Sequence, residues 1–102
     1  MNAPTMTAIN GDALRREVVI ANPQGLHLRP ATAFAKLARQ FTCAVFVVRD
    51  NQRANGKSQM ELLLLAAESG SRLTVEVDGE DADKALDPLA ELLADQGEID
   101  SE

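Results

Sequence analysis

Apolar residues recur along the chain at two different spacings, and each change of spacing marks the start of a new element. Alternation with a period of two, or a short run of β-branched residues, is typical of a strand. Apolar residues three and four positions apart are typical of a helix that buries one face. The pattern predicts strands at 17–21, 42–48, 53–55 and 73–78, and helices at 28–40, 58–67 and 81–95.

Residues with turn or cap preferences separate these elements. The stretch from Asn22 to Gly25 ends the first strand, and residues 49–52 have the chemistry of a hairpin turn. Ser58 and Glu61 have the spacing of a capping box, in which each side chain accepts a hydrogen bond from the other residue's amide. Pro88 interrupts the last helical pattern, so a kink or a restarted turn is expected just before it.

The order β-α-β-β-α-β-α predicts an α+β fold, in which helices cover one face of a mostly antiparallel sheet and the other face is solvated. A length of 102 residues is enough for one domain with a single modest core. We expect a flexible extension at 1–13, the domain at 14–96 and a frayed tail at 97–102. Because Trp and Tyr are absent and Phe occurs three times, the core must be mainly aliphatic.

Composition narrows the class of protein. The net charge of -6 argues against a general nucleic-acid binder, which normally has a basic face. One Cys and one His are too few for a disulfide framework or a structural zinc site, and neither a metal nor a cofactor is expected. No apolar run approaches the ~20 residues that span a bilayer, and the polar start lacks the pattern of a secretion signal. A cytoplasmic monomer is the default expectation.

The candidate chemistry lies where the first strand gives way to the first helix, in Gly25-Leu26-His27-Leu28-Arg29-Pro30. Pro30 suits a first helical turn, which places His27 at about the N-cap and Arg29 in that turn. The backbone amides of Leu28 and Arg29, and the positive end of the helix dipole, attract anions. An imidazole, available unprotonated near neutral pH, and a guanidinium at such a helix end predict a site for a phosphoryl group carried on nitrogen.

Each of these residues also has an ordinary interpretation. His27 taken alone is a solvent-facing N-cap residue without chemistry, and Arg29 is a surface charge. A cation is disfavoured at a helix N-terminus, however, and that misfit makes sense if an anion is to bind there. Capping alone explains Ser58. Cys43 is expected to be a small buried residue of its strand.

These elements in this order, with Gly-Leu-His-x-Arg-Pro at 25–30 and Asn-Gly-Lys-Ser at 55–58, resemble the HPr family of phosphocarrier proteins of the bacterial sugar phosphotransferase system. The resemblance covers about residues 15–95. It implies an open-faced β-sandwich, a four-stranded sheet with three helices on one side. It also implies that His27 accepts phosphate on Nδ1 from phosphorylated enzyme I, beside Arg29, and passes it to an IIA domain of a sugar permease. Such a chain is a carrier with a covalent phosphohistidine rather than an autonomous enzyme.

The resemblance further implies a docking surface and a regulatory site. The family docks its partners through an apolar patch at the start of the second helix with a basic rim, which correspond here to Gln59, Met60, Leu63, Leu64, Lys36, Arg39 and Lys57. Gln59 and Leu28 depart from the family's usual residues at their places, which concerns partner specificity. In some bacteria the serine that matches Ser58 is phosphorylated by HPr kinase/phosphorylase, so this kinase and a transcriptional regulator are further candidate partners.

Two alternatives to the carrier remain open at this point. One is a regulatory interaction module of the same fold, switched by phosphorylation of Ser58. The other is an unrelated small α+β domain that binds a ligand. The presence of His27 together with Arg29 favours the carrier, because a purely regulatory relative does not need the histidine.

Overall fold

The computed structural model describes residues 13–94, which form an α+β fold of four strands and three helices. The elements are β1 (Leu14–Val19), α1 (Leu28–Ala38), β2 (Ala44–Arg49), β3 (Gln52–Asn55), α2 (Gln59–Leu64), β4 (Arg72–Asp78) and α3 (Ala82–Ala94). The predicted fold class and element order are confirmed. The expected N-terminal extension, apart from residue 13, and the expected tail lie outside the described residues. Within 13–94, none of the helices combines the length and apolar character needed to cross a membrane.

The sheet has the strand order β1-β4-β2-β3, and every neighbouring pair is antiparallel. Alternate residues of the two central strands are buried against the helices, namely Val45, Val47, Leu73, Val75 and Val77. Phe34 of α1 and Leu89 and Leu93 of α3 are buried in the same cluster. Burial of one such side chain stabilises the fold by about 1.5–3 kcal/mol, so this layer fixes α1 on the sheet.

The opposite face of the sheet carries a charged cluster. Arg15 Nε lies 3.1 Å from Glu76 Oε2, and Arg53 Nη2 lies 3.6 Å from Glu76 Oε1. The Arg53 guanidinium also lies 3.8 Å from the centroid of the Phe46 ring, in a cation–π contact. Exposed ion pairs contribute little to stability. The main effect of the cluster is therefore to cover the Phe46 ring on an otherwise solvated face.

Most element boundaries differ from the prediction by one or two residues, and the two largest differences arise because residues distant in sequence set those boundaries. β1 begins at Leu14 rather than at 17, since its whole length pairs with β4. α2 ends at Leu64 rather than at 67. It stops there because Arg49 Nη1 donates a 2.9 Å hydrogen bond to the Leu65 carbonyl, and Ala66 then leaves the helical region with a φ of 51°. Long-range pairing and a side-chain cap of this kind leave no periodic signal in the sequence.

The helix α3 continues through Pro88 without a break, so the prediction of a restarted turn is wrong, and the alternative, a kink, stays a prediction. Pro88 is exposed, whereas its neighbour Leu89 is fully buried. Proline cannot donate the hydrogen bond that the Lys84 carbonyl would otherwise accept within the helix. On the solvent side water can hydrate that carbonyl, which is why the helix tolerates the proline.

The carboxylate of Asp81, the residue before α3, fixes the loop that leads into β2. Its Oδ2 accepts a hydrogen bond from the Thr42 amide and its Oδ1 accepts one from the Cys43 amide, both at 2.9 Å. The Thr42 amide is the main cause that holds the pKa of Asp81 below its ordinary value. Burial, and then Asp81, raise the pKa of the Cys43 thiol to about 11, so this buried thiol stays protonated at neutral pH.

Candidate functional site

His27 is the N-cap residue of α1. Its backbone is extended, with φ of -97° and ψ of -169°, and its carbonyl accepts the first helical hydrogen bond, from the Ala31 amide at 3.0 Å. Its side chain makes no cap hydrogen bond and is half-buried. An N-cap side chain normally accepts a bond from one of the first helical amides. The ring is therefore left available for another purpose.

A tight turn before α1 sets the position of His27. Asn22 Oδ1 accepts a hydrogen bond from the Gln24 amide, and the Asn22 carbonyl accepts one from the Gly25 amide, both at 2.9 Å. Gly25 has a φ of +75°, and a Cβ there would lie 2.5 Å from the Ala67 carbonyl oxygen. That oxygen accepts the Leu26 amide at 2.8 Å. Only glycine allows this close approach, so Gly25 holds the loop in place.

A surface depression of about 630 Å³ lies beside this helix end, lined by His27, Leu28, Arg29, Thr32, Ala33 and Lys36. The first turn of α1 contains no acidic residue. Pro30 has no amide, so the first-turn donors are the amides of Leu28 and Arg29. An anion in this depression would therefore meet a helix end, a guanidinium and no competing carboxylate from the helix itself.

Leu28 is the exception to the buried stripe of α1. Leu28, Ala31 and Phe34 have the spacing of one helical face, but Leu28 is 57% exposed while the other two are fully buried. At 3.6 residues per turn, Leu28 lies about a quarter turn from the centre of the buried face. Its side chain lines the depression instead.

Asn22 contacts His27 from the protein side. It is 2% exposed and is the one buried polar side chain among residues 13–94. Its Nδ2 lies 3.4 Å from Nε2 of His27. The ring nitrogen that faces Asn22 is therefore Nε2.

A second depression, of about 470 Å³, lies at the start of α2 and is lined by Arg39, Lys57, Ser58, Gln59, Met60 and Leu63. The structure thus brings together six of the residues named from the family's docking surface and its regulatory site. Met60 is 71% exposed. Leu64 is 70% exposed but lines a different depression, with Gln52, Arg53 and Glu61 among its neighbours, so it does not extend the Met60 surface.

Ser58 caps α2, but the predicted capping box forms only in part. Its Oγ accepts a hydrogen bond from the Glu61 amide at 3.2 Å. The Glu61 carboxylate accepts the Asn55 amide at 2.8 Å rather than the Ser58 amide. The reason is that the Ser58 amide already donates to the Asn55 carbonyl, at 3.0 Å.

The cations of the second depression also have structural contacts. Arg39 Nε donates to the Lys57 carbonyl at 3.0 Å, and Lys57 Nζ donates to the Phe41 carbonyl at 2.8 Å. These bonds connect the end of α1 with the loop before α2. Both positive charges are thereby held in fixed places at the edge of the depression.

Comparison with known proteins identifies the family of the chain. The family model described as PTS HPr component phosphorylation site matches residues 14–95. The chain belongs to the HPr family. A phosphocarrier protein HPr from Neisseria meningitidis is 39% identical over 80 residues, which cover 78% of this chain and 90% of that protein. The resemblance inferred from the sequence is thus confirmed.

Solved structures agree with this assignment. The histidine-containing phosphocarrier protein of Mycoplasma has a TM-score of 0.78 at 30% identity, and the match covers 82% of this chain and 96% of that one. Crh, the Bacillus subtilis catabolite repression protein, was solved as a swapped dimer and has a TM-score of 0.65 at 36% identity, over 78% of this chain and 92% of that one. The open-faced sandwich of the HPr fold is therefore confirmed.

Sequence reasoning on this HPr chain missed Asn22, which it treated only as part of a turn. The spacing of Asn22 and Gln24 is that of an Asx turn, and this signal was visible. The contact between Asn22 and His27 was not, because it requires the turn to bring residues five positions apart face to face. Thr32 and Ala33 were missed for a similar reason, since only the helix places them beside the ring.

Proposed function

We propose that the chain is a phosphoryl carrier in which His27 accepts phosphate from phospho-enzyme I and passes it to IIA-type acceptors of the sugar phosphotransferase system. Membership of the HPr family supports this class of function. The observation that carries the proposal is the position of His27, an N-cap residue without a side-chain cap bond, in one depression with Arg29. The active form is a cytoplasmic monomer.

The first turn of α1 supplies what a phosphoryl group on His27 needs. The lone pair of Nδ1 forms the N–P bond as the bond between phosphorus and the donor's leaving group breaks, and the reverse exchange transfers the group to the acceptor. The first-turn amides at Leu28 and Arg29 and the helix dipole favour the phosphate dianion. The Arg29 guanidinium adds charge-assisted hydrogen bonds to its oxygens.

The second depression is the docking surface in this proposal. Met60 and Leu63 supply an apolar contact, and Arg39 and Lys57 supply positive charge at the edge for acidic partners. Lys36 adds a cation beside the first depression. The hydrogen bonds between the end of α1 and the loop before α2 fix the two depressions relative to each other, so a docked partner reaches His27.

Incubation with enzyme I and labelled phosphoenolpyruvate tests the carrier. We expect label that is acid-labile and base-stable, as an N–P bond is, on the wild type and on Ser58→Ala. His27→Ala should take up none. Label on His27→Ala, or label with the base lability of a serine ester, would contradict the proposal.

A second candidate function is a regulatory module switched by phosphorylation of Ser58. The similarity to Crh, a protein named for catabolite repression, favours it, as does the position of Ser58 within the second depression. HPr kinase/phosphorylase would add the phosphate, and a transcriptional regulator would bind the product. The test is the same enzyme I assay with Ser58→Asp, because Asp keeps the cap and adds charge. Unaltered phosphoryl transfer from enzyme I to this variant would show that the serine has no regulatory role.

A further inference from the structure

The loop before α1 lies against the segment that follows α2, and an arginine at the end of β2 holds that segment. We propose that Arg49 is a positioning residue for the phosphoryl transfer of His27. Its guanidinium holds the Leu65 carbonyl and keeps Ala66 in the left-handed region. The Ala67 carbonyl then stays in contact with the loop that carries His27. This inference rests on the proposed function, since phosphoryl transfer is the reaction that it concerns.

The Ala67 carbonyl supports the loop before His27. Its oxygen accepts the Leu26 amide at 2.8 Å, one residue before His27. The next amide, that of His27, donates to the Gly25 carbonyl at 3.0 Å. A Cβ on Gly25 would lie 2.5 Å from the Ala67 oxygen and 2.9 Å from the Glu68 Cα, so the two segments are in backbone contact. Because Leu26 and Ala67 are both buried, a displaced Ala67 carbonyl would displace the start of α1 with it.

Ala66 has a backbone conformation that its own side chain does not favour. It directly follows Leu65, the C-cap residue of α2, and has a φ of 51°. Glycine is the usual residue at such a place, because a Cβ makes the left-handed region unfavourable. The Ala66 side chain is exposed, so burial of its methyl group does not offset this cost. A contact made by a neighbouring residue must therefore hold the conformation.

The guanidinium of Arg49 supplies that contact. Its Nη1 donates a 2.9 Å hydrogen bond to the Leu65 carbonyl. A carbonyl at the end of a helix has no partner within the helix, and a cation is favourable at the negative end of the helix dipole. Ala66 thus lies between two held carbonyls, and it can relax only if one of the two hydrogen bonds breaks. Without the guanidinium the Leu65 carbonyl can turn, Ala66 relaxes, and the Ala67 carbonyl is no longer held in one position.

Single-turnover transfer from preformed phospho-enzyme I, at varied concentrations of the chain, tests this role. Arg49 lines neither the first nor the second depression, so Arg49→Ala should leave the concentration that gives half the limiting rate unchanged. The limiting rate should fall about tenfold, because displacement of a reacting group by about 1 Å can cost up to about 10²-fold. Arg49→Lys keeps a charged donor and should recover most of the rate. Arg15→Ala removes an exposed guanidinium from the opposite face of the sheet and should match the wild type.

The split between the two kinetic constants decides the result. An unchanged limiting rate in Arg49→Ala, a change in the half-saturating concentration alone, or an equal fall in Arg15→Ala would overturn the inference. If Arg49→Ala folds poorly, Arg49→Gln, whose side chain is shorter and uncharged, should show the same fall in the limiting rate.

Ala66→Gly tests whether Arg49 acts through the backbone of Ala66. Glycine adopts a φ of 51° without strain, and the exposed methyl group of Ala66 is not part of the core. In the Ala66→Gly chain the left-handed conformation no longer depends on Arg49. Addition of Arg49→Ala to that chain should therefore lower the limiting rate less than about twofold. An equal fall in both backgrounds would overturn the inference.

Amide hydrogen exchange measures the same displacement without a partner protein. In Arg49→Ala the exchange of the Leu26 amide should accelerate about fivefold more than that of Val75 at the centre of β4, the equivalent of one ordinary hydrogen bond. Ala66→Gly should abolish this difference. An equal change at the two amides would overturn the inference. Failure of enzyme I to phosphorylate the wild type would overturn the proposed function instead, and the Leu26 exchange would still decide whether Arg49 positions the loop before α1.

Discussion

The N-termini of α1 and α2 share a backbone geometry and are completed in opposite ways. Both N-cap residues, His27 and Ser58, have extended backbones. Ser58 caps its helix by accepting the Glu61 amide, and Glu61 places a carboxylate in the first turn. His27 makes no cap bond, and its helix has a guanidinium but no acid in the first turn.

This difference distinguishes a helix end that stabilises the free protein from one that, in the proposed function, binds a phosphoryl group. In α2 the Ser58 hydroxyl accepts the Glu61 amide, and the Glu61 carboxylate interacts favourably with the helix dipole. The start of α2 therefore stabilises the free protein. α1 has no side-chain cap bond and no acidic residue in its first turn. In the proposed function, the phosphoryl group that a partner brings takes the place of both. A missing side-chain cap is the physical sign on which that proposal rests.

Removal of the Arg29 guanidinium should give the largest effect. Arg29→Ala removes a charge-assisted donor from the developing phosphoryl site, and loss of one such donor slows a reaction about 10²-fold. The rate of transfer from phospho-enzyme I measures it, with circular dichroism to show that the fold is retained. Arg72→Ala, which removes an exposed guanidinium from β4, is the matched control and should transfer normally. Unchanged transfer rates in Arg29→Ala would show that the start of α1 does not use the Arg29 guanidinium to bind the phosphoryl group.

Truncation of the two N-cap residues should have unequal effects on stability. Ser58→Ala loses the bond to the Glu61 amide and should lower the free energy of unfolding by about 1 kcal/mol. His27→Ala loses no cap bond, only the 3.4 Å contact with Asn22, so in an Asn22→Ala background it should cost about 0.5 kcal/mol or less. Urea denaturation of both variants measures the difference. A loss in His27→Ala as large as that in Ser58→Ala would show that the two helix ends are not completed differently.

The parts of this comparison that the sequence predicts are the local ones. Pro30 and the apolar spacing after it locate α1 and put His27 at its start. Ser58 with Glu61 marks the start of α2, although the Glu61 carboxylate accepts the Asn55 amide instead, because the Ser58 amide already donates to the Asn55 carbonyl at the end of β3. Helix starts are encoded within a few residues, and so they can be read from the chain.

Tertiary contacts decide the rest, and periodicity does not encode them. Four consecutive leucines, Leu62 to Leu65, do not reveal by themselves that Leu63 borders the Met60 surface and Leu64 another one. Packing of a short helix against α1 makes that choice. The end of α2 likewise depends on Arg49, which lies on a strand well before it in sequence.

Lowering the pH should have the smallest of these effects, a loss of stability that arises at the start of α3. The pKa of Asp81 is lowered in the folded state by the Thr42 amide first, so its carboxylate stabilises the fold above the unfolded value of about 3.9. That contribution is lost as the pH falls through the folded pKa. Tm measured from pH 7 downwards should therefore fall below about pH 4 in the wild type. In Asp81→Asn, Tm should be lower at pH 7 and fall less; a parallel fall would show that Asp81 is not responsible.

The atom that carries the phosphate tests the central claim most directly. ³¹P–¹⁵N correlation of the ¹⁵N-labelled protein, phosphorylated by enzyme I and phosphoenolpyruvate, identifies that atom without ambiguity because the chain has one histidine. We predict coupling between phosphorus and Nδ1 of His27. Coupling to Nε2, or phosphate found only on an oxygen such as Ser58 Oγ, would contradict the account.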